Sequence, residues 1–102
     1  MISRLWRGWT SPGNADAYEE LLRTRILPGI RRVDGYRGAY LLRCDAGSEI
    51  EFATITLWES MDAVRAFAGT DYEIAVVPPE ARRYLSRYEL KSVHYETILK
   101  PE

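Results

Sequence analysis

IEFATITLWESMDAVRAFAG, residues Ile50 to Gly69, reads as a strand that runs directly into a helix. From Phe52 to Trp58 the residues are mostly β-branched or aromatic, as a pleated, half-buried surface prefers. Ser60 stands at an N-cap position, where its hydroxyl can accept from a free amide of the following turn. Ala63, Val64 and Phe67 form the apolar stripe of a short amphipathic helix. Gly69 suits the C-terminus of that helix.

Upstream of this unit, Tyr36 to Cys44 reads as another strand. The tight connection Ala46-Gly47-Ser48 then makes an antiparallel hairpin with the strand of the quoted stretch. Asp34-Gly35 is a turn. Tyr18, Leu22, Ile26 and Ile30 recur every fourth residue, with Leu21 beside them, which predicts a helix with one buried stripe. The turn cluster Ser11-Pro12-Gly13-Asn14 precedes it, with Asn14 or Asp16 as N-cap. Pro28-Gly29 is expected to break or kink this helix near Leu27. Met1 to Thr10 is a first strand, with Ile2, Arg4, Trp6 and Gly8 on one face and Ser3, Leu5, Arg7 and Trp9 on the other.

Downstream, Asp71 to Pro79 is a polar and then proline-rich connection, and Glu80 to Leu85 is a short helix started by Pro79. Ser86 to Leu99 is a last strand, with Val93, Tyr95, Thr97 and Leu99 on one face and Ser92, His94, Glu96 and Ile98 on the other. The order β-α-β-β-α-β is the split βαβ pattern of a ferredoxin-like α+β domain. It predicts a four-stranded antiparallel sheet with helices on one face, in one domain spanning residues 1–102. Each half repeats the same sequence of strand, helix, proline-marked segment and strand.

At 102 residues the chain holds one core. Its net charge of −1 gives no field that would draw it to nucleic acid or to an anionic membrane. A single cysteine, Cys44, allows no internal disulfide and suits a reducing compartment. MISRLWRGW carries no apolar run of the signal-peptide kind, and no segment approaches a membrane span. These features predict a cytoplasmic protein. There is no Gly-rich phosphate loop, Walker motif, HExxH or Cys-x-x-Cys. One histidine and one cysteine leave no usual zinc site, no acidic cluster marks a magnesium site, and no serine sits in a nucleophile elbow.

One feature goes beyond the fold. Leu5 and Trp9 alternate with Trp6, and Tyr40 and Leu42 alternate with Ala39 and Leu41, so the sheet is apolar on both sides. Helices cover only one side, and an aromatic face left open is a liability in a monomer. A homodimer through that sheet face is therefore expected.

Trp58-Glu59-Ser60 closing a strand, Phe67-Ala68-Gly69 closing the next helix, and His94-Tyr95-Glu96 in the last strand, on this topology, resemble the antibiotic biosynthesis monooxygenase family of the dimeric α/β-barrel superfamily. The resemblance covers Ile2 to Leu99. It implies a homodimer whose sheets pack face to face, with a pocket in each subunit between sheet and helices. It also implies oxygenation of electron-rich phenols to quinones without metal or flavin. Another branch of the superfamily binds and degrades haem, with an Asn in the first strand, a Trp in the helix after the third strand and a downstream His ligand. Trp6, Phe67 and Val77 stand at the matching places here, which argues against haem cleavage.

The candidate pocket is bordered by Trp6, Trp58, Tyr72 and His94. Trp6 and Trp58 read either as plain core, the commoner fate of tryptophan, or as pocket lining that stacks a planar substrate while an indole N–H holds its phenol oxygen. Tyr72 lies on the connection that would cap the pocket. His94 is the sole imidazole and the obvious proton acceptor near neutrality, or else a half-exposed sheet residue. Glu96 shares its face and could orient it. Arg82, Arg83 and Arg87 read as a solvated face from which one cation could hold a phenolate. No cofactor is required. The function expected is cofactor-independent monooxygenation of a small aromatic phenol. The alternatives are a ligand-binding or stress-response dimer without turnover, an accessory subunit whose pocket its own aromatics fill, and a haem-binding relative.

Overall fold

The computed structural model of the chain describes residues 1–101. Strand β1 (Ile2–Thr10) leads through a 3-10 turn (Pro12–Asn14) to helix α1 (Ala15–Leu21), a π-helical turn (Leu22–Ile26) and helix α2 (Leu27–Ile30). Strands β2 (Tyr36–Ala46) and β3 (Glu49–Trp58) form the hairpin, and helices α3 (Met61–Ala68) and α4 (Pro79–Arg82) follow, then strands β4 (Leu85–Tyr88) and β5 (Val93–Glu96). The sheet runs β2-β3-β1-β4, with β5 also on β1, and every pairing is antiparallel. This is the ferredoxin-like arrangement expected, with the helices on one face.

The local signals of the Ile50–Gly69 stretch act as read. The Ser60 hydroxyl accepts from the Ala63 amide at 3.3 Å, and Gly69 caps α3 at φ +91°. Gly47 turns the hairpin at φ +80°, its amide donating to the Asp45 carboxylate at 3.1 Å. Asn14 is the N-cap of α1, although its side chain reaches instead to the Tyr84 carbonyl.

Two expectations are corrected. Pro28 does not break the first helix near Leu27, and helix continues to Ile30. A proline removes one helical bond and its ring crowds the carbonyl four residues back. A widened turn ahead of it accommodates that demand, with the Leu27 amide bonding to the Leu22 carbonyl five residues back. The expected last strand, Ser86 to Leu99, is two strands that end at Glu96. The Glu89 amide still donates to the Arg7 carbonyl of β1, and residues 90–92 then leave β1 and pair with the Asp71–Pro79 connection instead. Leu90 accepts from the Ala75 amide at 2.9 Å, and the Ser92 amide donates to the Glu73 carbonyl at 2.7 Å. Past Glu96, Ile98 and Leu99 lie exposed.

Pairing fixes the two faces. Arg4 lies opposite Thr56 on one side and His94 on the other, and Trp6 lies opposite Thr54. These residues, with Phe52 and Trp58, face the helices. Leu5, Tyr40, Ile55 and Val93 share the other face, where Tyr40, Leu42, Val93 and Tyr95 are exposed.

The core beneath the helices has two parts. Tyr18, Leu22, Phe52 and Ala81 form one, with Tyr18 edge-on to Phe52 at 4.9 Å. Trp58, Ala63 and Val64 form the other, with Phe67 stacked on Trp58 at 5.1 Å. Gly35 holds the second part closed, because a Cβ there would overlap the Ala63 methyl and its φ is +89°. Gly35→Ala combines that overlap with left-handed backbone and should cost about 3 kcal/mol in urea denaturation. Gly13→Ala, in open space, should leave the midpoint unchanged or slightly raised.

Candidate functional site

Between the two core parts a cavity remains, with about 60 Å³ open to water-sized molecules. At roughly 10–15 Å³ per water that is room for a few waters, or for one small ring if the wall gives slightly. Tyr18 and Leu22 close it on one side, Phe67 on the other, and Trp6, Thr54 and Thr56 form its sheet floor. Leu22 and Ile26 reach it from the π-helical turn, a distortion often found at functional sites.

Among the described residues Arg4 is the only charged one in the cavity wall. Its exposure is 4%, and no carboxylate of the described residues lies within 4 Å of it. Nη1 donates to the Tyr72 carbonyl and, at 2.9 Å, bonds to His94 Nε2, while Nη2 donates to the Ile74 carbonyl at 3.3 Å. The guanidinium also lies over the Phe67 ring at 5.7 Å. Taking such a cation out of water costs several kcal/mol. Hydrogen bonds to a charged donor return about 1.5–3 kcal/mol each, so these bonds bring the burial near balance. Desolvation pulls the Arg4 pKa down to about 10, which leaves it charged at neutral pH.

An arginine always donates, so the bond to His94 fixes the imidazole as a neutral acceptor at Nε2, with the proton on Nδ1. Burial lowers the His94 pKa, the Arg4 charge lowers it further, and only Glu73 opposes them. Glu96 is exposed and makes no bond to His94, so Arg4 and not Glu96 orients the ring. Tyr72 stands edge-on to the imidazole at 5.2 Å with Arg65 over its own ring.

The expected site residues thus take different depths. Trp6 lines the cavity. His94 and Tyr72 stand directly behind Arg4, and Trp58 lies behind Phe67, fully buried. Both indole N–H groups are engaged within the protein. Trp6 Nε1 donates to the Glu89 carbonyl at 2.7 Å, and Trp58 Nε1 to the Thr56 hydroxyl at 2.8 Å. Neither is free for a phenol oxygen, and the residues lining the cavity that carry side-chain donors other than indole are Arg4, Tyr18, Thr54, Thr56 and Ser92. Gly8 makes room for this arrangement, since a Cβ there would come within 2.8 Å of the Trp6 ring.

Arg82, Arg83 and Arg87 are exposed, and Arg87 packs on Trp9 at 3.9 Å on the open sheet face. The cation at the cavity is Arg4, which sequence reasoning passed over. Its signal was an arginine at an even position of a strand whose other even residues point inward.

Haem does not fit this wall. Trp6, Phe67 and Val77 line the cavity, and its residues include no imidazole or thiolate. Burial raises the pKa of the Tyr18 phenol, which keeps it a neutral, poor ligand. Among the described residues no His, Cys, Asp and Glu cluster could hold a metal ion, and no helix is long and apolar enough to cross a membrane.

A family model described as antibiotic biosynthesis monooxygenase matches residues 1–79. Among solved structures the chain is similar to SnoaB, a cofactor-independent oxygenase from Streptomyces nogalater, at 23% identity and TM-score 0.67, covering 99% of this chain and 97% of that one. It is also similar to the haem-degrader MhuD from Mycobacterium tuberculosis, at 20% identity and TM-score 0.67 over the whole of both chains. A third is the ActVA-Orf6 monooxygenase of Streptomyces coelicolor in complex with nanaomycin D, at 18% identity and TM-score 0.62, covering 99% and 92%. At these identities the likeness is one of fold. No curated protein sequence matches this one significantly.

The environment of His94 is open to direct test. Its NMR titration should have a midpoint below the ordinary 6.5, and Arg4→Met should move that midpoint upward. Because the folded pKa is depressed, the unfolded chain binds the extra proton first, and stability should fall as pH drops through about 6.5. A midpoint at or above 6.5 would contradict the bonded geometry.

Proposed function

The chain belongs to the antibiotic biosynthesis monooxygenase family, and from that footing we propose that it oxygenates a small aromatic phenol, with molecular oxygen as sole co-reactant and no metal or flavin. The observation that carries this reading is the cavity itself, apolar and aromatic on most of its wall, with Arg4 in that wall and His94 bonded to Arg4 from behind it.

In the proposed reaction the phenol oxygen docks at Arg4 and its O–H turns to His94 Nε2, displacing the Arg4 N–H from that lone pair. His94 takes the proton, and Arg4 stabilises the phenolate that remains. The phenolate passes one electron to O2, and the phenoxyl radical and superoxide join through a new C–O bond. The peroxide takes the proton from His94. Loss of the ring C–H proton and cleavage of the O–O bond then release water and leave a quinone, so one phenol and one O2 give one quinone and one H2O. Trp6 and Phe67 exclude bulk water and hold the radical pair together.

Oxygen uptake with single-ring and two-ring phenols tests this. Uptake and quinone should appear one to one, and His94→Ala should lower kcat by about a hundredfold or more while leaving binding largely intact. Equal turnover in the variant would remove His94 as base. Binding without uptake across the series would favour a ligand-binding protein, a reading to which the narrowness of the cavity lends some weight.

The same proposal includes a homodimer through the open sheet face, where Tyr40, Leu42, Val93 and Tyr95 lie exposed. Light scattering at micromolar concentration should give twice the 11.8 kDa chain mass. Leu42→Asp, which is half-exposed in one chain, should yield folded monomer by placing an unpaired charge in the interface. A monodisperse wild-type monomer would contradict it.

A further inference from the structure

We infer that the cavity is selective for an aromatic acid, the carboxylate of the ligand serving as the counter-ion that Arg4 lacks. The inference rests on the reading of this cavity as the substrate site, and its test is a binding measurement that needs no turnover. The contrast among the arginines carries it. Arg7, Arg23, Arg25, Arg37, Arg43, Arg65 and Arg87 all pair with carboxylates at the surface, where water would have solvated them in any case. Arg4 is buried, faces a cavity, and has none. Glu73 influences His94 through space but forms no ion pair with Arg4.

The hydrogen bonds of Arg4 define what is still open. A guanidinium carries five N–H groups. Two on Nη1 serve the Tyr72 carbonyl and His94, and one on Nη2 serves the Ile74 carbonyl. The Nε–H and the second Nη2–H have no acceptor among the described residues. Two N–H donors on one planar cation suit the two oxygens of a carboxylate, and the Thr56 hydroxyl, paired across the strands from Arg4, adds a neutral donor. One charge in the wall matches a monoanion. A phosphate dianion would bring a second charge with nothing to balance it. Trp6 and Phe67 on the wall ask for a flat, apolar body behind the acid.

Isothermal titration of the purified protein with 2-hydroxybenzoate and with its neutral amide, 2-hydroxybenzamide, tests the inference. The acid should bind roughly a hundredfold more tightly than the amide, because a buried charge pair is lost in the second case. Arg4→Met should erase the preference. Arg4→Lys keeps the charge and should retain a reduced preference, which covers the case in which Arg4→Met fails to fold. Equal affinity for acid and amide, unchanged preference in both variants, or no binding of the acid would each overturn the inference. Acid binding with no oxygen uptake would sink the proposed monooxygenase and leave this inference standing. Phenol turnover without acid preference would do the reverse.

Discussion

A single buried cation fastens the Asp71–Pro79 connection and β5 to the centre of the sheet. Arg4 rises from the middle of β1 and bonds to two carbonyls of the Asp71–Pro79 connection and to the imidazole of β5. That connection has no helix of its own before Pro79, and its other backbone bonds run to Leu90 and Ser92, within its own turn at Asp71–Ile74, and to the start of α4. Removing the guanidinium would strand two carbonyls, at about 1–3 kcal/mol for each one left buried and unpaired. The same group that closes the cavity roof therefore supplies the cavity's only charge.

This double duty explains why the interior is divided. A sheet of this size under two helices has enough aromatic volume to fill one core, yet Trp58 with Val64 and Tyr18 with Phe52 pack as separate groups. Arg4 stands between them with its hydrogen-bonding needs, and apolar side chains cannot close over it without leaving its charge unserved. The π-helical turn contributes from the other side, since its wider register carries Leu22 and Ile26 to the cavity wall. The fold is shared across proteins of very different chemistry, among them an oxygenase and a haem-degrader. Topology alone therefore assigns no chemistry to this chain, which has to be argued from its own cavity residues.

The fold was largely legible in the sequence because its signals are local. Ser60 and Gly69 bracket α3, Gly47 turns the hairpin, and the four-residue recurrence of Tyr18, Leu22 and Ile26 marks the buried helix face. The misreadings came where tertiary contacts override local pattern. Residues 90–92 look like strand until the Asp71–Pro79 connection takes their hydrogen bonds. Pro28 looks like a helix end until a π-helical turn absorbs its ring. Of the four residues read as bordering a pocket, Trp6 lines the cavity, while Trp58, Tyr72 and His94 lie behind its wall. The role of Arg4 was passed over because a charged residue in a strand ordinarily points to water, although its even position shared a face with Trp6, and the pairing of β1 with both neighbours confirms that face as the inner one.

The Arg4 charge has no carboxylate partner among the described residues, and a ligand carboxylate would complete it. A crystal structure of the protein grown with 4-iodo-2-hydroxybenzoate tests it most directly, since the iodine locates the ligand by anomalous scattering. The account predicts an iodine peak inside the cavity, the ligand carboxylate within hydrogen-bond distance of Arg4, and the Tyr72 and Ile74 carbonyls still bonded to it. Arg4 found paired with a protein carboxylate, with the ligand absent from the cavity, would contradict it.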